Sequence, residues 1–315
     1  MKLFFRILGV LLLACLVFAV AGVLATWAPD RPVQQLAAKW ATAPSQFLPV
    51  NGIQVHLRDE GPRDDPLPIV LLHGTAASLH TWDGWVSGLS NQRRVIRFDL
   101  PGFGLTGPHP DDDYTMASYV RFVGAVVDQL GIQQFVLAGN SLGGQIAWGA
   151  ALAMPQRVRQ LVLIDSAGYP IRSTSVPLGF TVARLPGLRN LMEYVLPRGL
   201  VASSLRNVYG DPARVTPELI DRYYDLALRS GNRQALGKRL GQPFAGDEAG
   251  LKALKLPTLI LWGGKDRLIP VENARRFASD IAGSRLVVFE DLGHVPQEED
   301  AQRTVAAFKA FLKGP

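Results

Sequence analysis

The stretch FVLAGNSLGGQIAWGAAL, residues 135–152, decides the fold of this 315-residue chain. The four apolar residues 135–138 predict a buried strand, and the alanine-rich segment after Ser141, with apolar residues at helical spacing, predicts a helix. Between them, GNSLG at 139–143 fits the pattern G-x-S-x-G on a turn from a strand into a helix. Such a turn presents its serine at the end of a sheet, which makes Ser141 a candidate nucleophile.

Strand and helix patterns alternate on both sides of this stretch. The predicted strands are 53–60, 68–73, 94–99, 135–139, 159–165, 257–263 and 285–290. The predicted helices lie near 116–131, 141–154, 271–282 and 297–313. The later strands are nearly continuous apolar runs, as expected for a parallel sheet that is covered on both faces. The sequence therefore predicts the α/β class, with a mostly parallel, doubly wound sheet.

Between residues 168 and 252 the strand pattern stops, and the chain is helical in character and punctuated by prolines. We expect this part to be a helical cap inserted between two strands. Residues 170–252 carry twelve Lys and Arg against seven Asp and Glu, so they hold +5 of the net charge of +6. One interpretation is a lid that faces an anionic membrane or a phosphate-bearing substrate, and the other is an arginine-rich solvated surface. Charge alone slightly favours the second interpretation, but together with the membrane anchor predicted from the N-terminus the first is favoured.

The N-terminus contains 22 uncharged residues, from Ile7 to Ala28. At ~1.5 Å per residue they span about 33 Å, enough to cross a hydrocarbon core of ~30 Å. Because Lys2 and Arg6 precede them, we expect a cytoplasmic N-terminus, an inner-membrane anchor and a periplasmic remainder of the chain. A signal peptide cleaved after AVA at 19–21 is the alternative. A lipoprotein attached at Cys15 is disfavoured, because apolar residues continue beyond it.

Residues 29–46 form a linker whose apolar side chains at Val33, Leu36, Ala37 and Trp40 lie on one face of a helix. This helix is expected either to lie at the bilayer surface or to pack on the globular part. The predicted division of the chain is a membrane anchor at 1–28, this linker at 29–46, a first part of the core at 47–167, the cap at 168–252 and a second part of the core at 253–315.

Composition narrows the classes of partner and cofactor. No run of Lys and Arg is dense enough to predict nucleic-acid binding. Cys15 is the only cysteine, so the globular part has no disulfide and no thiolate metal site. No other metal-ligand spacing is visible, and we expect neither a metal nor a cofactor. The small residues Ala21 and Ala25 have the spacing that packs two membrane helices, which leaves a homodimer open.

A serine nucleophile needs a base, and the base needs an orienting carboxylate. His294 follows the last predicted strand, at the carboxyl end of the sheet, where open α/β sheets place their sites. It is a better base than His73, which is expected to brace a loop. Asp266 follows the strand before it and is the preferred acid, with Asp165, at the end of the strand after the nucleophile, as the alternative.

A developing oxyanion needs N–H donors that are already in position. The backbone N–H of Leu142, at the start of the helix, is one expected donor. The other is the backbone N–H of Thr75, in the loop after the strand at 68–73. The order Ser141, Asp266, His294 is the order stated for α/β-hydrolases.

Five short motifs, taken together, resemble the α/β-hydrolase superfamily: HGT at 73–75, FDLPGFGLT at 98–106, GNSLGG at 139–144, WGGKD at 262–266 and GH at 293–294. They occur in the order of that family and cover residues 50–313. The resemblance implies Ser141 as the nucleophile, His294 as the base, Asp266 as the acid, and Thr75 and Leu142 as oxyanion donors. It implies a structural turn at 99–102, with no chemical role for Asp99.

At two positions this chain differs from particular subclasses of the family, and these differences limit the reactions that we expect. Haloalkane dehalogenases and epoxide hydrolases carry an aspartate where this chain has Ser141. C–C bond hydrolases typically have G-x-G-P-G where this chain has GTAAS at 74–78, which favours ester hydrolysis. A single anchor followed by a capped hydrolase is most similar to bacterial inner-membrane-anchored phospholipase A enzymes. We therefore expect hydrolysis of phospholipid or lysophospholipid esters at a bilayer, with a general carboxylesterase or thioesterase as the alternative.

Overall fold

The computed structural model describes residues 2–185, 193–242 and 246–314. Its eight strands form one sheet in the order β1-β2-β4-β3-β5-β6-β7-β8, antiparallel across β1, β2 and β4 and parallel from β4 to β8. The strands are β1 Gln46–Val50, β2 Ile53–Glu60, β3 Ile69–Leu72, β4 Val95–Phe98, β5 Phe135–Asn140, β6 Val158–Ile164, β7 Thr258–Gly263 and β8 Arg285–Phe289. All seven predicted strands are present, and β1 is additional.

The sheet is buried on both faces. Successive side chains of a strand point to opposite faces, so a strand in such a sheet has apolar side chains on both sides. In β5, Phe135 and Leu137 pack into one apolar cluster, and Val136 and Ala138 pack into the other. Both sets are apolar, so the strand has no polar face. This arrangement explains the continuous apolar runs and confirms the doubly wound α/β class.

Helices cover both faces of the sheet. The helices are α1 Lys2–Ala25, α2 Val33–Trp40, α3 Asp83–Leu89, α4 Met116–Gln129, α5 Leu142–Ala153, α6 Leu178–Arg184, α7 Arg198–Val208, α8 Pro217–Ala227, α9 Asn232–Gly241, α10 Glu248–Ala253, α11 Glu272–Asp280, α12 Pro296–Glu299 and α13 Ala301–Leu312. Side chains of α4, α5 and α11 pack into one cluster, whereas those of α3 and α13 pack into the other. The four predicted core helices are present, and α3 was not predicted.

The helices α6 to α10 form a cap inserted between β6 and β7. Within the described part of the cap, the only β pairings are two isolated bridges, one between Trp27 and Val195 and one between Arg31 and Arg229. The predicted helical character of 168–252 is therefore confirmed for the described residues of that range. Part of it, 186–192 and 243–245, lies outside them.

The linker helix α2 packs on the globular part. Leu36 is 3% exposed and lies in a small apolar cluster with Leu105 of the core and Leu226 of the cap. The ring N–H of Trp40 donates to a carboxylate oxygen of Asp225 over 3.1 Å. Of the two interpretations of this helix, packing on the globular part is therefore confirmed.

Candidate active site

Ser141 lies between the last residue of β5 and the first residue of α5, in a sharp turn. Its φ of 55° and ψ of −115° are strained for a residue with a side chain. The turn requires glycine nearby, because a Cβ at position 143 would lie 2.3 Å from the carbonyl oxygen of Leu72. The backbone N–H of Ser141 donates to the carbonyl of Ile164 over 2.9 Å, which ties the turn to the neighbouring strand. The serine is thus held at the carboxyl end of the sheet.

His294 and Asp266 form a buried pair. The Nδ1 atom of His294 lies 2.7 Å from Oδ2 of Asp266. The other oxygen of Asp266 accepts the backbone N–H groups of Leu268 and Ile269, at 2.8 and 2.9 Å. These bonds fix the carboxylate, so its second oxygen holds the imidazole in one orientation. The side-chain amide of Asn140 donates to the carbonyl of His294 over 3.0 Å and links the serine turn to the histidine loop.

The two expected oxyanion donors have free backbone N–H groups. Neither the N–H of Thr75 nor that of Leu142 has a hydrogen-bond acceptor among the described residues. Both residues line the same cavity as Ser141 and His294. An unpaired N–H beside a serine is the arrangement that binds a developing negative oxygen.

These groups line one cavity of about 310 Å³ beneath the cap. Its walls are mostly apolar and come from the core and from cap helices α6, α7 and α9. Three arginines also line it: Arg184, Arg233 and Arg239. The structure therefore brings together Ser141, His294, Thr75 and Leu142 at one cavity, with Asp266 behind the histidine.

Asp165, the alternative acid, lies beside Asp266 and makes no hydrogen bond to His294 among the described residues. Its Oδ1 accepts the N–H of Gly263 over 3.0 Å, and its Oδ2 receives no donor. Burial, together with repulsion from the Asp266 carboxylate, raises the pKa of Asp165 well above its usual value. Asp165 therefore keeps its proton to a higher pH than a free aspartic acid does.

One group in the described part of the chain has the composition of a metal site: Asp165, Asp266 and His294, with ligand atoms within 4.8 Å of one another. The 2.7 Å separation between Asp266 and His294 is that of a direct hydrogen bond. Two ligands bound to one ion at ~2.1 Å each normally lie farther apart than this. The geometry fits a shared proton better than a shared ion.

A second histidine–aspartate pair serves the fold. His56 Nδ1 lies 2.7 Å from Asp99, which also accepts the backbone N–H groups of Leu79 and Leu105. Burial raises the pKa of Asp99, but His56, His73 and the backbone N–H of Leu79 together lower it to about 2. Neither residue lines the cavity with Ser141. His73 Nδ1 contacts the carbonyl of Gly74 and so braces a loop, as predicted.

Glu299 is a residue of this region that sequence reasoning missed. Its carboxylate accepts three backbone N–H groups, from Gly210 and Asp211 of the cap and from Gly293, next to His294. The only feature of the sequence that points to Glu299 is that it lies shortly after the GH motif at 293–294. The carboxylate joins the cap to the loop that carries the histidine.

With this geometry established, comparison with known proteins identifies the class. The alpha/beta hydrolase fold family matches residues 68–301, so the chain belongs to that family and is a hydrolase. A 2-hydroxymuconate semialdehyde hydrolase from Pseudomonas putida is 33% identical over 273 residues, covering 83% of this chain and 91% of the relative.

Two solved structures are similar along most or all of the chain. A meta-cleavage product hydrolase from Pseudomonas fluorescens IP01 superposes with a TM-score of 0.74 at 25% identity, covering 85% of this chain and 97% of its own. A membrane phospholipase A superposes with a TM-score of 0.70 at 26% identity, covering 100% of this chain and 99% of its own. A membrane phospholipase A is thus one structural neighbour of the chain, whereas three curated relatives of 30–33% identity are named as hydrolases of other substrates.

Proposed function

We propose that the protein is a membrane-anchored serine hydrolase that cleaves carboxylic esters of lipids, with phospholipids or lysophospholipids as the leading substrates. The observation that carries this proposal is the constellation at the cavity. A strained serine, a histidine held by a buried carboxylate and two unpaired N–H groups face one apolar space. Each of these parts is required for acyl transfer through a covalent intermediate.

In this mechanism Ser141 attacks the acyl carbonyl while His294 takes the hydroxyl proton. Asp266 holds the imidazole and stabilises the imidazolium that forms. The backbone N–H groups of Thr75 and Leu142 bind the oxyanion. His294 then protonates the leaving alcohol, and the acyl group remains on Ser141. A water molecule, deprotonated by His294, attacks this ester, and the fatty acid leaves as the serine recovers its proton.

The N-terminal helix supports a membrane location. The span Phe4–Ala25 has a mean hydropathy of 3.0 and is unburied, a property that it shares with signal sequences. The residues that follow it are bound to the cap. The N–H of Ala28 donates to the carbonyl of Tyr194 over 2.8 Å, and the N–H of Leu196 donates to the carbonyl of Thr26 over 3.1 Å. An uncleaved α1 would therefore hold the cap close to the bilayer.

Exposed apolar side chains on the cap support contact with lipid. Trp27 and Tyr194 stack with their ring centroids 5.7 Å apart, and each is more than half exposed. Leu178 and Leu185 on α6 and at its end are 57% and 48% exposed. Aromatic and aliphatic side chains of this kind are common where a protein meets the interface of a bilayer. The similarity to a membrane phospholipase A, which includes the N-terminal segment, agrees with this location.

A second candidate is hydrolysis of a C–C bond in a meta-cleavage product. It is favoured by the curated relatives, such as 2-hydroxymuconate semialdehyde hydrolase, which act on substrates of that class. The loop GTAAS at 74–78 differs from the G-x-G-P-G typical of such enzymes and argues for the ester reaction.

The deciding experiment compares full-length protein with its Ser141→Ala variant on two substrates. Vesicles of phosphatidylethanolamine and phosphatidylglycerol test lipid ester hydrolysis by release of fatty acid, and 2-hydroxymuconate semialdehyde tests C–C cleavage by loss of its absorbance. We expect serine-dependent fatty-acid release. Serine-dependent cleavage of the semialdehyde alone would instead establish the second candidate.

A further inference from the structure

The wall of the catalytic cavity carries positively charged side chains and, among the described residues, no acidic one. Of its lining residues among those described, three are arginines and none is acidic. The two cap segments outside the described residues, 186–192 and 243–245, contain no Asp or Glu in their sequence. Many other cap cations are paired: Arg198 lies 2.7 Å from Asp221, and Arg222 bonds Glu298. Of the cavity arginines, Arg233 pairs with Asp30, whereas Arg184 and Arg239 have no ion pair among the described residues.

Arg239 is the least satisfied of the three. It makes no hydrogen bond or ion pair with any described residue, and its Nε is buried. Burial lowers the pKa of its guanidinium, which reflects the cost of removing the charge from water. Arg239 is half-buried, and a cation that is partly removed from water without a partner is costly, so such a group is expected to meet an anion in its working state.

Arg233 extends this charge along the same helix. Its Nη2 lies 2.6 Å from a carboxylate oxygen of Asp30, but its Nε and Nη1 are buried without an acceptor. Arg233 and Arg239 are six residues apart on α9, about 9 Å along the helix axis. Leu236 and Leu240 line the cavity between and beside them. The helix therefore offers an apolar surface with a cationic group near each end.

We propose that Arg239, with Arg184 and Arg233 on the wall of the same cavity, forms a subsite for an anionic oxygen group of the substrate, a phosphate or a carboxylate. The inference rests on the proposed function, because it assigns this subsite to the cavity that holds Ser141. Guanidinium groups bind both anions through paired N–H donors. The apolar wall would take the acyl chain, and the arginines would select molecules that carry a negative charge.

The test uses two matched pairs of esters with the full-length protein in detergent. Lysophosphatidic acid against the monoacylglycerol of the same chain isolates a phosphate, and monomethyl adipate against dimethyl adipate isolates a carboxylate. The readout is the ratio of kcat/KM for the anionic ester to kcat/KM for its neutral partner. The variants are Arg239→Gln, Arg239→Lys and, as a control of equal charge change on an exposed cap position, Arg206→Gln.

We expect the wild-type ratio to exceed one for at least one pair and to fall about 10- to 100-fold in Arg239→Gln, the range for a lost charge-assisted hydrogen bond. Arg239→Lys retains most of the ratio, and Arg206→Gln retains all of it. The pair that responds identifies phosphate or carboxylate as the group. A ratio that is unchanged in Arg239→Gln, or equal to one in the wild type for both pairs, overturns the proposal.

A binding measurement separates this inference from the proposed reaction. In the Ser141→Ala background, inorganic phosphate and succinate are titrated while the Tm is followed. A rise in Tm that disappears in Ser141→Ala/Arg239→Gln supports the subsite even if no ester is cleaved. Identical Tm shifts in the two proteins overturn it. Loss of ester turnover with an intact Arg239-dependent shift would contradict the proposed function only.

Discussion

At the scale of single residues, the two buried aspartates near His294, Asp165 and Asp266, lie in different hydrogen-bonding environments. Asp266 receives two backbone N–H groups and the imidazole, which together stabilise a negative charge. Asp165 receives one N–H and lies against Asp266, so burial and repulsion favour its neutral form. Asp266 can therefore stabilise an imidazolium at His294, whereas its neighbour Asp165 cannot.

The first prediction follows from this difference. Asp266→Asn is expected to lower kcat about 10³- to 10⁴-fold, because an amide cannot stabilise the imidazolium and favours the wrong tautomer. Asp165→Asn is expected to lower kcat less than about tenfold, because Asn resembles the protonated carboxyl group that the raised pKa of Asp165 favours. Both are measured by steady-state ester hydrolysis. A larger loss in Asp165→Asn than in Asp266→Asn would reverse the assignment of the acid.

The second prediction concerns stability and pH. The pKa of Asp165 is raised in the folded state above its unfolded value of about 3.9. Its contribution to stability is present below pH ~4 and is lost as the pH rises towards the folded pKa, because only the unfolded chain releases the proton. Asn does not titrate, so the Tm of Asp165→Asn minus that of the wild type should increase between pH 4.5 and pH 8. A difference that is constant over this range would show that Asp165 is ionised in the folded protein.

The positions of site residues could be predicted where they depend on nearby sequence, and could not where they depend on contacts with distant parts of the chain. Ser141 could be predicted because its strand, turn and helix are contiguous. His294 and Asp266 could be predicted because each follows a strand, and parallel strands bring their carboxyl ends to one edge. Glu299 could not, because its partners at 210 and 211 are 88 or more residues away in the cap. Arg239 could not, because its lack of a partner depends on how the cap packs.

At the scale of elements, the end of α7 is attached directly to the histidine loop. The N–H of His294 donates to the carbonyl of Val208 over 2.7 Å. A Cβ at position 293 would lie 2.3 Å from that carbonyl oxygen, so only glycine allows the two backbones to approach this closely. Glu299 then bonds both sides of the contact. The cap is therefore held rigidly at this edge of the cavity.

The third prediction is that Glu299→Gln weakens this attachment. An amide offers one acceptor oxygen and places an NH₂ against backbone donors, so we expect a loss of about 2–4 kcal/mol in the free energy of unfolding. We also expect kcat to fall more than KM changes, because the loop that carries His294 loses its position.

Urea denaturation and steady-state kinetics measure the two effects. Glu298→Gln is the matched control, because Glu298 bonds Arg222 and Tyr223 and no residue of the histidine loop. If both variants lowered kcat equally, Glu299 would have no specific effect on His294.

The elements that were not predicted have local reasons. β1 contains Pro49 and lies at the edge of the sheet, where proline is tolerated, so its residues did not show a strand pattern. α3 is only seven residues long, and two of those are glycine. Its position is set by packing of Trp85 against Phe308 of α13, with ring centroids 4.9 Å apart. The long core helices were predictable because their apolar positions repeat over several turns.

At the scale of the whole molecule, the chain after α1 joins this helix to the wall of the candidate catalytic cavity. Trp27 stacks on Tyr194 of the cap, and Asp30 accepts from the backbone of Gly231 and from Arg233, which lines the cavity. Arg31 lies 2.9 Å from Asp225 on α8. These contacts fix the first residues after α1 to the cap, whereas α1 itself is unburied. Removing α1 should therefore leave the cavity intact.

The last prediction uses this separation. A variant without residues 2–25 keeps Trp27, Asp30 and Arg31, so we expect its kcat/KM for a short soluble ester to remain within about threefold of the full-length value. Its hydrolysis of lipid in vesicles should fall about tenfold or more, because a tethered enzyme meets its substrate at a high effective concentration. The mass of the protein extracted from membranes separates anchor from signal peptide: an anchor predicts the full chain, and cleavage predicts loss of residues 1–21. Equal vesicle activity with and without residues 2–25 would mean that the helix has no role in reaching the lipid, and the case for a bilayer substrate would then rest on the exposed cap alone.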